Sequence, residues 1–205
     1  MISLFLDTTN EYLNVTLVKD KNIIYQKEML TKNDHSSYLM PFINEGLKQN
    51  NLEAKDINLI YSAVGPGSFT GSRIGITVAK TIAFSLQIKV VPISSLKEYI
   101  YAYDSYDYYV PIIEDRQGMY LSIYDKNYET ILDETYDSFE SLEKKLQNLD
   151  GKILIISDKN YEDYEVSKRK IDVLKLIEFN KDNGINPHGL KPNYIKKIEV
   201  ESKLW

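Results

Sequence analysis

Ala63-Val64-Gly65-Pro66-Gly67-Ser68-Phe69-Thr70-Gly71-Ser72-Arg73-Ile74-Gly75-Ile76-Thr77-Val78-Ala79-Lys80-Thr81-Ile82-Ala83-Phe84-Ser85-Leu86 is the stretch on which the fold turns. An apolar strand runs into a glycine-rich loop, and the loop opens a helix with almost no polar face. From Ser72 to Leu86 the only charges are Arg73 and Lys80. Gly71, Gly75, Ala79 and Ala83 recur every fourth residue, which sets four small side chains on one ridge. Such a ridge admits a second backbone at short range. A helix this apolar must be covered on nearly every side. One sheet covers one side, so a partner subunit is expected on the other. The simpler alternative is that the small ridge accommodates the chain's own sheet.

Working outward, Ile2–Asp7 reads as a buried strand. Tyr12–Val18 and Ile23–Met29 read as a hairpin across Lys19-Asp20-Lys21-Asn22. A helix capped by Asp34 or Ser36 should reach about Asn50, with Leu39, Phe42, Ile43 and Leu47 on one face. Ile57–Val64 is a strand, the loop and apolar helix follow, and Lys89–Ile93 is a short strand. Ser94 or Ser95 can cap a further helix to about Tyr103. Strands are then expected at Tyr109–Ile113, Met119–Tyr124 and Thr130–Thr135. A helix from Phe139 to Leu149 capped by Ser138 and a strand at Lys152–Ser157 complete the series. The order β-β-β-α-β thus occurs twice, which suggests a duplication with a shortened second copy. One more strand is expected over Ile171–Phe179, a loop over Asn183–Gly189, and partial helix between Pro192 and Trp205. The expected fold class is therefore α/β: a duplicated ribonuclease-H-like unit, the actin-like ATPase fold, with a first lobe at 1–104 and a smaller second lobe at 105–205. The C-terminal tail is expected to return toward the first lobe.

The chain has 205 residues and a net charge of -5, against the basic balance of a protein that grips nucleic acid by itself. It has no cysteine, which removes disulfides, thiolate catalysis and cysteine zinc sites and fits a reducing cytoplasm. The apolar run at the N-terminus stops at Asp7, so no secretory leader is expected, and no membrane span either. Lysines number 22 against three arginines, a bias best read as codon usage.

The loop Gly65–Gly71 lacks the Gly-Lys pair of a Walker A loop and the third glycine of a dinucleotide fingerprint. It can hold a phosphate at the helix N-terminus or serve as a tight turn. Asp7-Thr8-Thr9 with Gly65 and Gly67 could hold a magnesium-bound phosphate, and could equally be a turn stabilised by its own side chains. His35 and His188 are too far apart in sequence to suggest a metal pair or triad, so a capping or surface role is expected for His35. The tyrosines between Tyr99 and Tyr109 are expected to pack rather than to stack on bases.

The residues Gly65-Pro66-Gly67-Ser68-Phe69-Thr70-Gly71-x-Arg73-Ile74-Gly75, Ala79-Lys80 and Pro92-x-Ser94-Ser95-Leu96 resemble the TsaB (YeaZ) family. Asp7-Thr8-Thr9 and His35-Ser36 are similar to that family's Asp-Thr-Ser-Thr and His-Ser. The likeness is strong over residues 1–104. Beyond, Asp115–Tyr120 and Pro192-x-Tyr194-Ile195-Lys196 match the family's motifs less closely, and Ser72 replaces its usual leucine. The resemblance implies a bacterial subunit of the machinery that makes threonylcarbamoyladenosine at position 37 of tRNAs reading ANN codons. Its catalytic paralogue TsaD carries spaced histidines on a metal. Here Ser95 and Tyr99 stand at those places, and a hydroxyl and a phenol are poor ligands.

The expectation is a non-catalytic scaffold without metal or cofactor. It would form a homodimer when alone and a heterodimer with TsaD, with the TsaE ATPase acting on that pair and tRNA met only through the complex. The expected interface is Leu39, Phe42, Ile43, Leu47, Phe69, Gly71, Ser72, Arg73, Gly75, Ile76, Ala79 and Ala83. Asp7, Thr8, Thr9, Gly65 and Gly67 are expected to be a vestigial phosphate site. The alternative is a stand-alone ATP-dependent phosphotransferase using Asp7, Thr8 and Gly67. A peptidase lacks any Ser-His-Asp set to support it.

Overall fold

The computed structural model describes residues 1–31 and 34–196 and divides into two compact units. The first contains Met1–Glu98 and Asp172–Asn193. The second contains Tyr99–Ile171 and the described part of Tyr194–Trp205.

In the first unit, β1 (Ile2–Asp7) is buried at every residue, Ser3 and Asp7 included, as befits a mostly apolar central strand. It pairs antiparallel with β2 (Tyr12–Lys19), which pairs antiparallel with β3 (Asn22–Leu30). On its other side β1 runs parallel to β4 (Ile57–Ala63), and β4 runs parallel to β5 (Lys89–Ile93). The sheet order is β3-β2-β1-β4-β5. Helix α1 (His35–Gln49) sinks Leu39, Phe42, Ile43 and Leu47 into the core with Leu13, Val15 and Leu17 of β2. Helix α2 (Phe69–Leu86) contributes Ile76, Ala79 and Ala83 to the same core. The next helix is much shorter than expected. After Ser94, whose hydroxyl accepts from Leu96 N and Lys97 N, α3 occupies only Lys97–Ile100.

The chain re-enters the first unit at Asp172, against an expected boundary at residue 104. The segment expected as a strand over Ile171–Phe179 is a helix, α5 (Val173–Asn180). Val173, Leu176, Ile177 and Asn180 are buried at helical spacing, and the Asp172 carboxylate caps Lys175 N at 3.0 Å. The helical period and the cap at Asp172 decide the element against the expected strand. Beyond α5, Ile185 and Val90 exchange both backbone hydrogen bonds, and Leu190 is buried in the first core. The expected loop over Asn183–Gly189 therefore carries a bridge to β5 and a 3-10 turn at Pro187–Gly189.

The second unit repeats the design. β6 (Tyr108–Glu114) pairs antiparallel with β7 (Met119–Asp125), and β7 with β8 (Thr130–Asp137). Helix α4 (Phe139–Leu146) leads to β9 (Ile153–Ile156), parallel to β6, and β10 (Glu165–Ser167) is parallel to β9. The order β8-β7-β6-β9-β10 is that of the first sheet, strand for strand. Residues 157–164 join β9 to β10 with no helix, where the first unit carries α2. The duplicated ribonuclease-H-like order is thus present, and the second copy is the shorter. Of the tail expected as partly helical, Pro192–Lys196 is not helical, and the remainder lies outside the described residues. Among the described residues no helix is long and apolar enough to cross a membrane.

Candidate functional site

The turn after β1 meets the start of α2, and the meeting is closed by the chain's own groups. Asp7 is 1% exposed. One of its carboxylate oxygens accepts from both the backbone N–H and the hydroxyl of Thr9, each at 2.7 Å, and the other accepts from the Asn10 amide at 2.7 Å. The Thr8 hydroxyl donates to Gly71 O at 2.7 Å and accepts from Gly75 N at 3.1 Å. The Thr9 carbonyl accepts from Ser68 N at 2.7 Å, and Ser95 Oγ donates to Thr9 Oγ1 at 2.8 Å. Ser68 caps α2 by accepting from Gly71 N at 3.0 Å. A glycine is required at Gly67, where φ is +149° and an added Cβ would lie 2.3 Å from Thr9 O. Of the two readings left open for Asp7, Thr8, Thr9, Gly65 and Gly67, the arrangement is that of a turn held by its own side chains.

That contact corrects the expected direction of the small ridge. A Cβ on Gly71 would lie 2.0 Å from Thr8 O, and one on Gly75 would lie 2.4 Å from Thr8 Oγ1. Ala79 and Ala83 are wholly buried in the first core. The close approach the ridge permits is therefore internal, to the β1–β2 turn and the sheet. Of the twelve residues expected to meet a partner, Leu39, Phe42, Ile43, Leu47, Gly71, Ser72, Gly75, Ile76, Ala79 and Ala83 are all buried within their own unit. Phe69 and Arg73 are exposed. The physical reason is economy of volume: a helix lying close over a sheet needs its smallest side chains where it touches.

The opposite face of α2 is open. Phe69, Thr70, Arg73, Thr77 and Thr81 are exposed, and Ile74 and Val78 are half-buried. Phe69, Thr70, Arg73, Ile74, Thr77 and Val78 border a shallow groove of about 410 Å³, in which Arg73 is the only charged residue among the described ones. Its guanidinium lies over the Phe69 ring, 3.8 Å from the centroid. Phe84, one turn from the C-terminal end, is 60% exposed on the same side. The small ridge expected to face a partner thus faces the chain's own β1–β2 turn and sheet, and the side carrying Phe69, Arg73 and Thr77 is the exposed one.

His35 is buried rather than at the surface. Its Nδ1 lies 2.8 Å from Thr31 Oγ1. Ser95 is wholly buried and engaged with Thr9, and that link over 86 residues had no signal in the sequence. Tyr99 is buried in the second unit, with the Arg169 guanidinium 5.7 Å from its ring. Among the described residues no group of three or more His, Asp or Glu is placed to hold a metal ion.

Two copies of one ribonuclease-H-like order define a protein of the actin-like ATPase fold. The family model for TsaD, tRNA N6-adenosine threonylcarbamoyltransferase, matches residues 22–195. The tRNA threonylcarbamoyladenosine biosynthesis protein TsaB of Bacillus subtilis (strain 168) is 35% identical over 126 residues, 60% of this chain and 55% of that protein. The protein of the same description from Escherichia coli (strain K12) is 31% identical over 93 residues, 45% of this chain and 40% of that one. The chain thus spans about half the length of the curated relatives it matches. Among solved structures, YeaZ from Pseudomonas aeruginosa superposes with a TM-score of 0.77 at 21% identity, covering 94% of this chain and 99% of that one. The chain belongs to the TsaD family, and the curated relatives it matches carry the TsaB description.

Proposed function

We propose that this chain is a subunit of a cytoplasmic assembly that makes threonylcarbamoyladenosine at position 37 of tRNAs reading ANN codons, and that its contribution is a docking surface rather than a reacting group. The observation that carries this reading is the division of α2 into two faces. Its inner face and the adjoining Asp7-Thr8-Thr9 turn are consumed in internal hydrogen bonds and close packing. Its outer face presents Phe69, Thr70, Ile74, Thr77 and Val78 around one cation. An exposed phenylalanine beside half-buried Ile74 and Val78, rimmed by threonines and one arginine, supports a protein contact. The partner on this reading is TsaD, which carries the transferase chemistry, and a second copy of this chain takes its place when the protein is alone. TsaE acts on the TsaB–TsaD pair, and tRNA is met through the complex.

The test is coexpression with TsaD from the same genome. Thr77→Arg places a charge at the centre of the outer face, and Phe69→Ala removes its largest exposed ring. Each variant is expected to keep its circular dichroism and to lose most of the copurifying TsaD, with loss of tRNA modification. Wild-type recovery of TsaD with both variants would overturn the assignment of this face. Substitution at Gly75 cannot make this test, since a larger side chain there strikes Thr8.

The phosphotransferase reading draws no support from the same geometry. Asp7 and Thr8, the groups it needs, are turned into the fold.

A further inference from the structure

A second concavity lies where α2 ends. The helix stops at Gln87, which adopts a left-handed conformation (φ +57°), and the chain turns at Ile88 into β5. The returning segment Asn186–His188 forms the facing wall. Between them is a cavity of about 620 Å³ lined chiefly by Phe84, Gln87, Lys89, Asn186, Pro187 and His188. That volume lies within the range of small-ligand pockets. The facing wall is fixed: Lys80 Nζ donates to His188 O at 3.2 Å and Leu190 O at 3.4 Å, and Asn186 Oδ1 accepts from His188 N at 3.0 Å. The Val90–Ile185 bridge holds the base of the same segment to β5.

The chemistry of the lining is specific. The Phe84 and His188 rings meet edge to face, centroids 5.1 Å apart at 69°, and both are exposed. They offer an aromatic ledge with one ring standing nearly edge-on to the other, so that a planar base can stack on one ring. Gln87 and Asn186 bring two primary amides, which carry donors and acceptors side by side. Lys89 brings a cation, and none of the described lining residues is acidic, in a chain whose net charge is -5. The negative end of the helix is blunted here, because Ala83 O and Phe84 O already accept from Ile88 N and Gln87 N. An aromatic ledge, paired amides and a cation without a counter-acid match a nucleobase joined to a phosphate.

We propose that this notch binds one nucleotide unit, its base on the Phe84–His188 ledge, its edge read by Gln87 and Asn186, and its phosphate at Lys89. The unit comes either from single-stranded RNA or from a free nucleoside monophosphate. Only the RNA source rests on the function proposed above. Its lining shares no residue with the outer-face groove, so the two assignments fail separately.

The experiment is fluorescence anisotropy of the isolated full chain with a fluorescein-labelled single-stranded RNA hexamer, with AMP as competitor. Saturable binding is expected at low salt. Phe84→Ala weakens it at least about fivefold, as loss of one base stack does, while Phe84→Tyr keeps the ring and the affinity. Lys89→Gln reduces the slope of log K against log salt by about 0.7, one phosphate contact on a single strand. Competition by AMP assigns the site to free mononucleotide, and RNA binding without that competition assigns it to a polynucleotide. Either supports the proposal. Absence of saturable binding by both probes, or binding that Phe84→Ala leaves unchanged, overturns it. Loss of copurifying TsaD in Phe84→Ala with unaltered RNA binding would make the notch a protein contact and overturn it equally.

Discussion

Thr8 is the residue on which the first unit closes. Its hydroxyl both donates to Gly71 O and accepts from Gly75 N, so one side chain joins β1 to two turns of α2. The absence of a Cβ at residue 75 makes the contact possible. Gly75→Ala is expected to destabilise the chain by about 2–3 kcal/mol, the usual cost of overpacking a tight core. In a Thr8→Ala background the obstructing oxygen is gone, and the further cost of Gly75→Ala should fall below about 1 kcal/mol. Urea denaturation of the four variants measures that coupling. Additive costs would show that Thr8 is not what Gly75 accommodates. Tyr61 makes a contrasting case. Its ring is wholly buried in β4, and its hydroxyl makes no hydrogen bond with the described residues. Tyr61→Phe removes a buried polar atom at nearly constant shape and is expected to leave stability unchanged or raise it by about 1 kcal/mol.

At the scale of elements, α4 shows how a short helix is held. Ser138 caps it by accepting from Ser141 N, and the Asp137 carboxylate accepts from Ser141 Oγ at 2.6 Å, Ser138 N at 2.8 Å and Lys145 Nζ at 3.1 Å. Foremost the Ser141 hydroxyl, then the Ser138 amide and Lys145, hold the Asp137 carboxyl below its ordinary value. A depressed carboxyl contributes stability above the pKa it has when unfolded, near 3.8, and loses that contribution as the pH falls through its folded value. Asp137→Asn is therefore expected to lower the denaturation midpoint at pH 7, and the gap from wild type should close as the pH drops below about 4. A gap that persists at low pH would mean that the carboxylate charge is not what the helix uses. Elements also show where period decides type. Val173, Leu176, Ile177 and Asn180 form a helical face in α5, although the same residues include the β-branched side chains that suggest a strand.

Across the whole molecule, buried phenols set an alkaline limit. Burial, reinforced by Asp182, pushes Tyr61 up to about 12, and burial reinforced by Glu114 does the same to Tyr161 in the second unit. A phenol raised on folding costs no stability below its unfolded value near 10. Above that value the unfolded chain ionises first, so stability falls as the pH rises toward 12. Phenolate absorbance should lag in the native state and appear together with unfolding between about pH 10 and 12. Tyr61→Phe should move that transition upward in pH. An unshifted transition would place the alkaline limit elsewhere.

Sequence alone determined the order of β1 to β5 with α1 and α2 and of β6 to β9 with α4, because the alternation, the cap at Ser138 and the glycine punctuation act over a few residues; β10 and the helical state of α5 lay outside it. It determined that β-β-β-α-β occurs twice, and that α2 is an apolar helix with a ridge of small residues. Which side of α2 faces inward was decided only in three dimensions. Large apolar residues lie all around that helix, and the arbiter, the Thr8 hydroxyl and carbonyl, sits 63 and 67 residues away from the glycines it meets. A returning C-terminal tail was expected, but where the return begins, at Asp172, and how it attaches were not, since a bridge between Val90 and Ile185 leaves no local pattern. Local propensity and period are written in neighbouring residues, whereas contact across a fold is set by how the sheet and helices pack once formed.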